Sequence, residues 1–322
     1  MLRIAIVLPL LAGLTLAQDE PQESKDLWIQ DFAAAKAQAK AEKKDLLVDF
    51  TGSDWCGWCI RLDNEVFSKD EFISSAPKDF VLVKLDYPRD QSILTEEIIA
   101  QNKKLQSEYG IQGYPTILLM DHDGRVYAQT GYQKGGPGPY NEMLGDAKKK
   151  GKAFQTALAS AADKQGVEKA KALEAALSTL EEPVAETYHL AIMKQIVELD
   201  ADGSAGLKEK YGDKVKQIEE TKMANEAAQE LNQLIGAHMQ AGEGDKAIAA
   251  LDAVIKDPKN PLRHQMALFF KGMVIMDTSG DADQAIACLE AAKALKPDSS
   301  ISERIEAVIP QIKKQAEGDG GK

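Results

Sequence analysis

The chain has 322 residues, 44% of them hydrophobic and 28% charged, with a net charge of −12. Length and balance describe a globular protein of about two domains, and the acidity excludes a nucleic-acid partner on electrostatic grounds. The acidic residues form no long block and read as solvated helix faces. Three cysteines, Cys56, Cys59 and Cys288, are too few for a fold held by disulfides, so a hydrophobic core must supply the stability.

Residues 1–17 read as a secretory signal: Arg3 supplies the positive charge, residues 4–16 are apolar, and Ala17 offers a cleavage site before Gln18. The alternative is an uncleaved anchor, but the run is short for a span of about 20 residues. No cysteine precedes Cys56, which excludes a lipid-modified N-terminal cysteine after this signal. The expectation is a secreted or periplasmic protein with no stable membrane insertion after cleavage.

Next, Trp28, Phe32, Ala35 and Ala39 recur at helical spacing and predict a helix over 26–43. An apolar strand follows over 45–51, and Thr51-Gly52-Ser53-Asp54 turns the chain into a helix over 56–66. Ser68 is expected to cap a short helix over 71–75 that Pro77 closes. Residues 80–85 read as a buried strand, and Thr95 caps a helix that ends at Tyr109-Gly110. A strand over 117–120, a turn at Asp121-His122-Asp123-Gly124 and a partner strand over 125–130 form a hairpin. A Gly/Pro-rich loop then leads into a helix over 140–162. This order fits a mixed sheet with helices on both faces, an α/β fold.

From Gly166 onward the pattern is helical throughout. Residues 244–251 align with residues 282–289, placing Ala247 against Ala285 and Leu251 against Leu289, both 38 apart. This resembles tetratricopeptide-type helical hairpins, whose usual period is about 34. Residues 166–180 read as a degenerate earlier copy. Stacked helix pairs of this kind build curved surfaces that bind protein partners. The expected division is a signal at 1–17, an α/β domain at 18–162, an all-α helical-hairpin domain at 163–315 and a disordered tail at 316–322.

Cys56 and Cys59 have three readings. A redox dithiol fits a strand ending at a helix N-terminus, where free N–H groups favour a thiolate on Cys56 and Cys59 lies on the same helix face to resolve a mixed disulfide. Half of a zinc site lacks its other ligands, since no second Cys-x-x-Cys and no paired histidines exist. A permanent structural disulfide is the third, although a two-residue gap at a helix start favours reducibility.

Val48-Asp49-Phe50, Trp55-Cys56-Gly57-Trp58-Cys59, Lys84-Leu85-Asp86 and Gly113-Tyr114-Pro115-Thr116 together resemble the thioredoxin family, over residues 26–162. The Cys-Gly-Trp-Cys site is similar to that of a group of exported bacterial thioredoxin-like proteins. The resemblance implies that Cys56 attacks and Cys59 resolves, with no dissociable cofactor because the dithiol is the redox centre. It implies that Asp49 is a buried carboxylate that helps deprotonate Cys59, with Lys84 as its neighbour. The turn at 51–54 carries one residue more than the family pattern, and the competing reading is an Asp facing solvent. Pro115 matches the family's cis-proline, which lets a substrate backbone pair beside the cysteines. Tyr114 before it makes the groove narrower and more aromatic. Trp55 is read as exposed apolar rim; the Gly57-Trp58 dipeptide affects the redox poise without indicating its direction, and Trp55, Trp58, Tyr114 and Pro115 are the expected substrate-binding residues.

Cys288 reads as a buried apolar cysteine. Asp200-Ala201-Asp202-Gly203-Ser204 resembles a calcium loop but has Ala205 and Tyr211 where Gly and Glu are required. The leading reading is an exported thiol–disulfide oxidoreductase acting on protein thiols and disulfides, with an unidentified redox partner protein and a protein ligand for the helical domain. The alternative is a scaffold whose helical repeats bind a protein while the α/β module stays redox-passive.

Overall fold

Seven consecutive buried residues, Asp45–Thr51, form the strand around which the first half of the chain is built. The computed structural model describes residues 27–256 and 260–319. The segment read as a signal and residues 320–322 of the expected tail lie outside them.

The sheet has five strands: β1 (Trp28–Ile29), β2 (Asp45–Thr51), β3 (Phe80–Asp86), β4 (Thr116–Met120) and β5 (Val126–Thr130). Their order is β1-β3-β2-β4-β5. β3 runs parallel to β1 and β2, while β4 is antiparallel to both β2 and β5. β2 is therefore paired on both edges and covered on both faces, which is why it reads as a nearly continuous apolar run.

Five helices accompany the strands over residues 32–161: α1 (Phe32–Glu42), α2 (Gly57–Leu62), α3 (Asp70–Ser75), α4 (Glu96–Glu108) and α5 (Pro137–Ala161). Alternation along β2 sorts them onto two faces. Phe50 meets Tyr109 at the end of α4, and Tyr109 meets Phe32 of α1. The neighbouring Asp49 points the other way, where its charge acts on Tyr140 of α5.

Two expected elements differ. Trp28 is not helical; it sits in β1, pairs with Leu82 and packs on Phe67 with ring centroids 5.1 Å apart. Asp31 starts the helix instead, accepting the Ala34 N–H at 3.0 Å. Ser68 does not cap α3, whose N-cap is Lys69. Residues Asp63–Phe67 form a π-helical turn after α2, closed by the Ser68 N–H on the Asp63 carbonyl at 2.9 Å. That extra residue in the turn leaves Ser68 inside the closure rather than at the head of the next helix.

The described residues divide into two compact units, residues 27–164 with 172–189, and residues 165–171 with 190–319. Packing thus places 172–189 with the sheet, although their composition matches the helical part. Tyr188 donates to Gln129 at 2.7 Å, and His189 Nε2 lies 2.6 Å from the Val126 carbonyl with its ring against Phe154.

The second unit is helical. Its principal helices are α6 (Gly166–Leu177, shared with the first unit), α8 (Leu190–Leu199), α9 (Leu207–Gln240), α10 (Gly244–Ile255), α11 (Pro261–Ser279), α12 (Ala282–Leu295) and α13 (Ser300–Asp319); α7 (Glu182–Tyr188) belongs to the first. Ala247, Leu251, Ala285 and Leu289 are all fully buried. A Cβ on Gly272 would lie 2.9 Å from the Ala285 carbonyl, so α11 and α12 approach as closely as only glycine permits. Asp200 accepts the N–H groups of Ala205, Leu207 and Lys208, which makes the calcium-like loop a cap for α9. Residues 316–319 continue α13 and are not a disordered tail. Cys288 is a free, half-buried thiol whose pKa burial raises. Among the described residues no helix is long and apolar enough to cross a membrane.

Candidate active site

β2 ends at Thr51, and a tight turn delivers Cys56 to the N-cap of α2. Cys56 has extended backbone angles, and its Sγ accepts the Cys59 N–H at 3.2 Å. The two cysteines form a disulfide with Cα atoms 5.2 Å apart, and both are buried. Among the described residues no group of His, Cys, Asp and Glu could hold a metal ion, and the zinc reading has no further ligands.

The turn is held by a buried carboxylate from the Lys84-Leu85-Asp86 motif, to which the sequence pattern assigns no role. Asp86, at the end of β3, accepts the Ser53 N–H at 2.9 Å and the Ser53 hydroxyl at 2.5 Å. Asn102 of α4 donates to the Asp86 carbonyl at 2.8 Å, tying the same point to a helix. Gly52 is required here because a Cβ would lie 2.5 Å from the Trp55 indole.

Trp55 and Trp58 flank the disulfide and are both exposed, by 39% and 54%. The indole N–H of Trp55 donates to the Tyr87 carbonyl at 2.8 Å, and its ring meets Tyr114 edge-on at 5.7 Å. Tyr114 accepts from Gln106 at 2.7 Å and precedes Pro115 through a cis peptide bond. Trp58 packs instead on Tyr132, with centroids 5.2 Å apart. Tyr132 carries no motif and is brought in by the segment after β5, so no sequence signal marked it.

Asp49 is paired in register with Lys84 across β2 and β3. Its carboxyl is buried, and its Oδ1 has no hydrogen-bond partner. Burial pushes its pKa up to about 8, against the pull of the Lys84 charge, with Asp63 and Asp86 adding to the rise. The Asp63 charge that acts on Asp49 belongs to the residue that ends α2, whose N–H bonds the Cys59 carbonyl. The solvent-facing reading of Asp49 is excluded by this burial.

A family model for a thioredoxin-like domain matches residues 32–148. Disulfide bond reductase DsbH of Chlamydia pneumoniae is 30% identical over 138 residues, covering 43% of this chain and 82% of that protein. The chain belongs to the thioredoxin-like family. Thioredoxin-related protein DsbJ of the same organism is 32% identical over 133 residues, 40% of this chain and 38% of its own. A solved structure titled DsbH oxidoreductase shares 30% identity over 43% of this chain and 95% of its own, with a TM-score of 0.37. With the Cys56–Cys59 disulfide at the head of α2, this thioredoxin-like protein is a thiol–disulfide oxidoreductase. More than half of the chain, including the whole helical unit, lies outside the residues that match the thioredoxin-like domain.

Proposed function

We propose that this is an exported reductase of protein disulfides, in which Asp49 moves the proton of the resolving step. The observation that carries the reading is the buried, unpartnered carboxyl oxygen of Asp49. A buried carboxyl that titrates near neutrality is matched to accepting a proton from a thiol there.

In the reduced protein, Cys56 thiolate attacks one sulfur of a substrate disulfide. The substrate S–S bond breaks, a mixed disulfide forms and one substrate thiolate leaves. Cys59 then gives its proton to the Asp49 carboxylate and attacks Cys56 Sγ, closing the Cys56–Cys59 bond and releasing the second substrate thiolate. The substrate gains two electrons and the dithiol loses two, so a donor protein must recharge the site. Lys84 limits how far the Asp49 pKa rises. Trp55, Trp58, Tyr114 and Pro115 line the approach of the substrate chain.

The reducing direction draws support from the relative named a disulfide bond reductase. Export draws support from the signal-like residues 1–17, and mature protein isolated after secretion should begin at Gln18. The buried repeats of Ala247 with Ala285 and Leu251 with Leu289 support a tetratricopeptide-like unit that holds a partner protein.

Equilibrating the Cys56–Cys59 pair against glutathione and dithiothreitol buffers tests the proposal. A reduction potential near the thioredoxin end, about −270 mV, is expected. A value near about −120 mV would make it an oxidant and overturn the direction. Absence of any two-electron couple would remove the function altogether.

A further inference from the structure

Beside the disulfide, four side chains form a closed ring of contacts. Trp58 packs on Tyr132, with centroids 5.2 Å apart. The Arg61 guanidinium lies over both rings, 5.5 Å from the Trp58 centroid and 5.1 Å from that of Tyr132. Glu65 ties the two ends: its Oε1 accepts from Arg61 Nε at 2.6 Å and its Oε2 from the Tyr132 hydroxyl at 2.5 Å. The donor from Tyr132 and then that from Arg61 hold the Glu65 carboxyl below the usual carboxylate range.

We propose that Tyr132, acting with Glu65 and Arg61, is a positioning residue that holds the Trp58 indole as a fixed wall beside Cys56–Cys59 and so sets how tightly a cysteine-bearing polypeptide binds. The inference deepens the disulfide-exchange reading and rests on it.

The physical argument concerns order. An indole exposed by 54% on the first turn of a helix has several rotamers open to it. A substrate that used it would have to immobilise it, at a cost charged to binding. Here the indole is held before any substrate arrives. Trp58, Arg61 and Glu65 stand at i, i+3 and i+7, one stripe of the α2 surface, and the π-helical turn Asp63–Phe67 carries Glu65. Tyr132 reaches this stripe from 67 residues beyond Glu65. The brace is a surface feature: Arg61 is exposed and Tyr132 half-buried, so it contributes little to the core. The Trp55 flank has a different arrangement, its indole held by a backbone carbonyl.

The test is a double-mutant cycle on the full chain, with insulin as disulfide substrate and dithiothreitol as electron donor. Tyr132→Phe removes the bond to Glu65 and keeps the ring. It should raise KM for insulin roughly two- to tenfold and leave kcat within about twofold. In a Trp58→Ala background the same substitution should change KM by less than about 1.5-fold, because there is no indole left to hold. Should Tyr132→Phe fail to fold, Glu65→Gln, which leaves every ring in place, gives the same reading. An unchanged KM in either single variant, or an equal rise with and without Trp58, overturns the brace. A wild-type protein that exchanges with dithiothreitol but never reduces insulin overturns the polypeptide-reductase reading as well, and that outcome appears in the wild-type arm alone.

Discussion

The two ends of β2 carry the same side chain in opposite circumstances. Asp45 and Asp49 are four residues apart, so they project from the same sheet face, and both are buried. Asp45 is answered: the Tyr127 hydroxyl donates to its Oδ2 at 3.0 Å and Gln155 of α5 to its Oδ1 at 3.3 Å. Asp49 is not, since its Oδ1 meets no donor. Burial raises the pKa of both, but the Asp45 rise is checked by its two hydrogen bonds, while that of Asp49 is opposed by the more distant charge of Lys84. A satisfied buried carboxylate joins elements together, here β2, β5 and α5. An unsatisfied one costs stability and is retained where chemistry uses it.

Removing the titrating group at the upper end should produce the largest effect. Asp49→Asn cannot accept a proton from Cys59, and stopped-flow measurement of mixed-disulfide resolution should show a loss on the order of a hundredfold near neutral pH. The same variant should gain stability. An acid whose folded pKa is about 8 and whose ordinary value is 3.8 binds more protons folded than unfolded between those pH values, so the Asp49 contribution to stability falls as pH rises through that window. Asn abolishes that fall, a difference on the order of a few kcal/mol at pH 8 in denaturant titrations. Parallel stability curves for the two proteins would show that Asp49 does not titrate in this window, and the contrast with Asp45 would collapse.

The lower end should respond with the reverse pattern. Tyr127→Phe leaves Asp45 Oδ2 without its donor and should cost about 1–3 kcal/mol in urea unfolding. The rate of disulfide exchange should stay within twofold of wild type. A large loss of exchange with intact stability would place catalytic work at the wrong end of the strand.

The smallest effect sharpens the comparison near β5. Burial, the largest cause, lowers the His189 pKa and so favours the neutral ring in the folded protein. The unfolded chain takes up that proton first on acidification, so stability is full above about pH 6.5 and declines as pH falls below it. His189→Gln should flatten this slope by about 1 kcal/mol or less in unfolding midpoints compared at pH 7 and pH 5. An unaltered slope would show that the loss on acidification arises elsewhere.

Much of the site was legible because its signals are local. Trp-Cys-Gly-Trp-Cys after an apolar run implies a strand, a turn and a helix start, and Thr95 and Gly110 mark the ends of α4 through capping chemistry. The helical period misled at Trp28, because a two-residue strand has no period of its own and takes its identity from the Leu82–Val83 edge it joins. The helical pattern that begins at Gly166 marks a boundary near 163, yet residues 172–189 belong with the sheet through contacts made by Tyr188 and His189.

From the sequence alone followed the α/β class, the redox pair and its placement at a helix start, since these depend on residue type and spacing within a few turns; the candidacy of Asp49 came from the resemblance to the thioredoxin family. Tertiary structure alone decided which carboxylates are satisfied and which segments 30 to 110 residues apart meet, as Ser53 meets Asp86, Tyr132 meets Glu65 and Gln155 meets Asp45. Hydrogen bonding and burial act across space, and a chain's order of residues carries no mark of which distant donor will arrive.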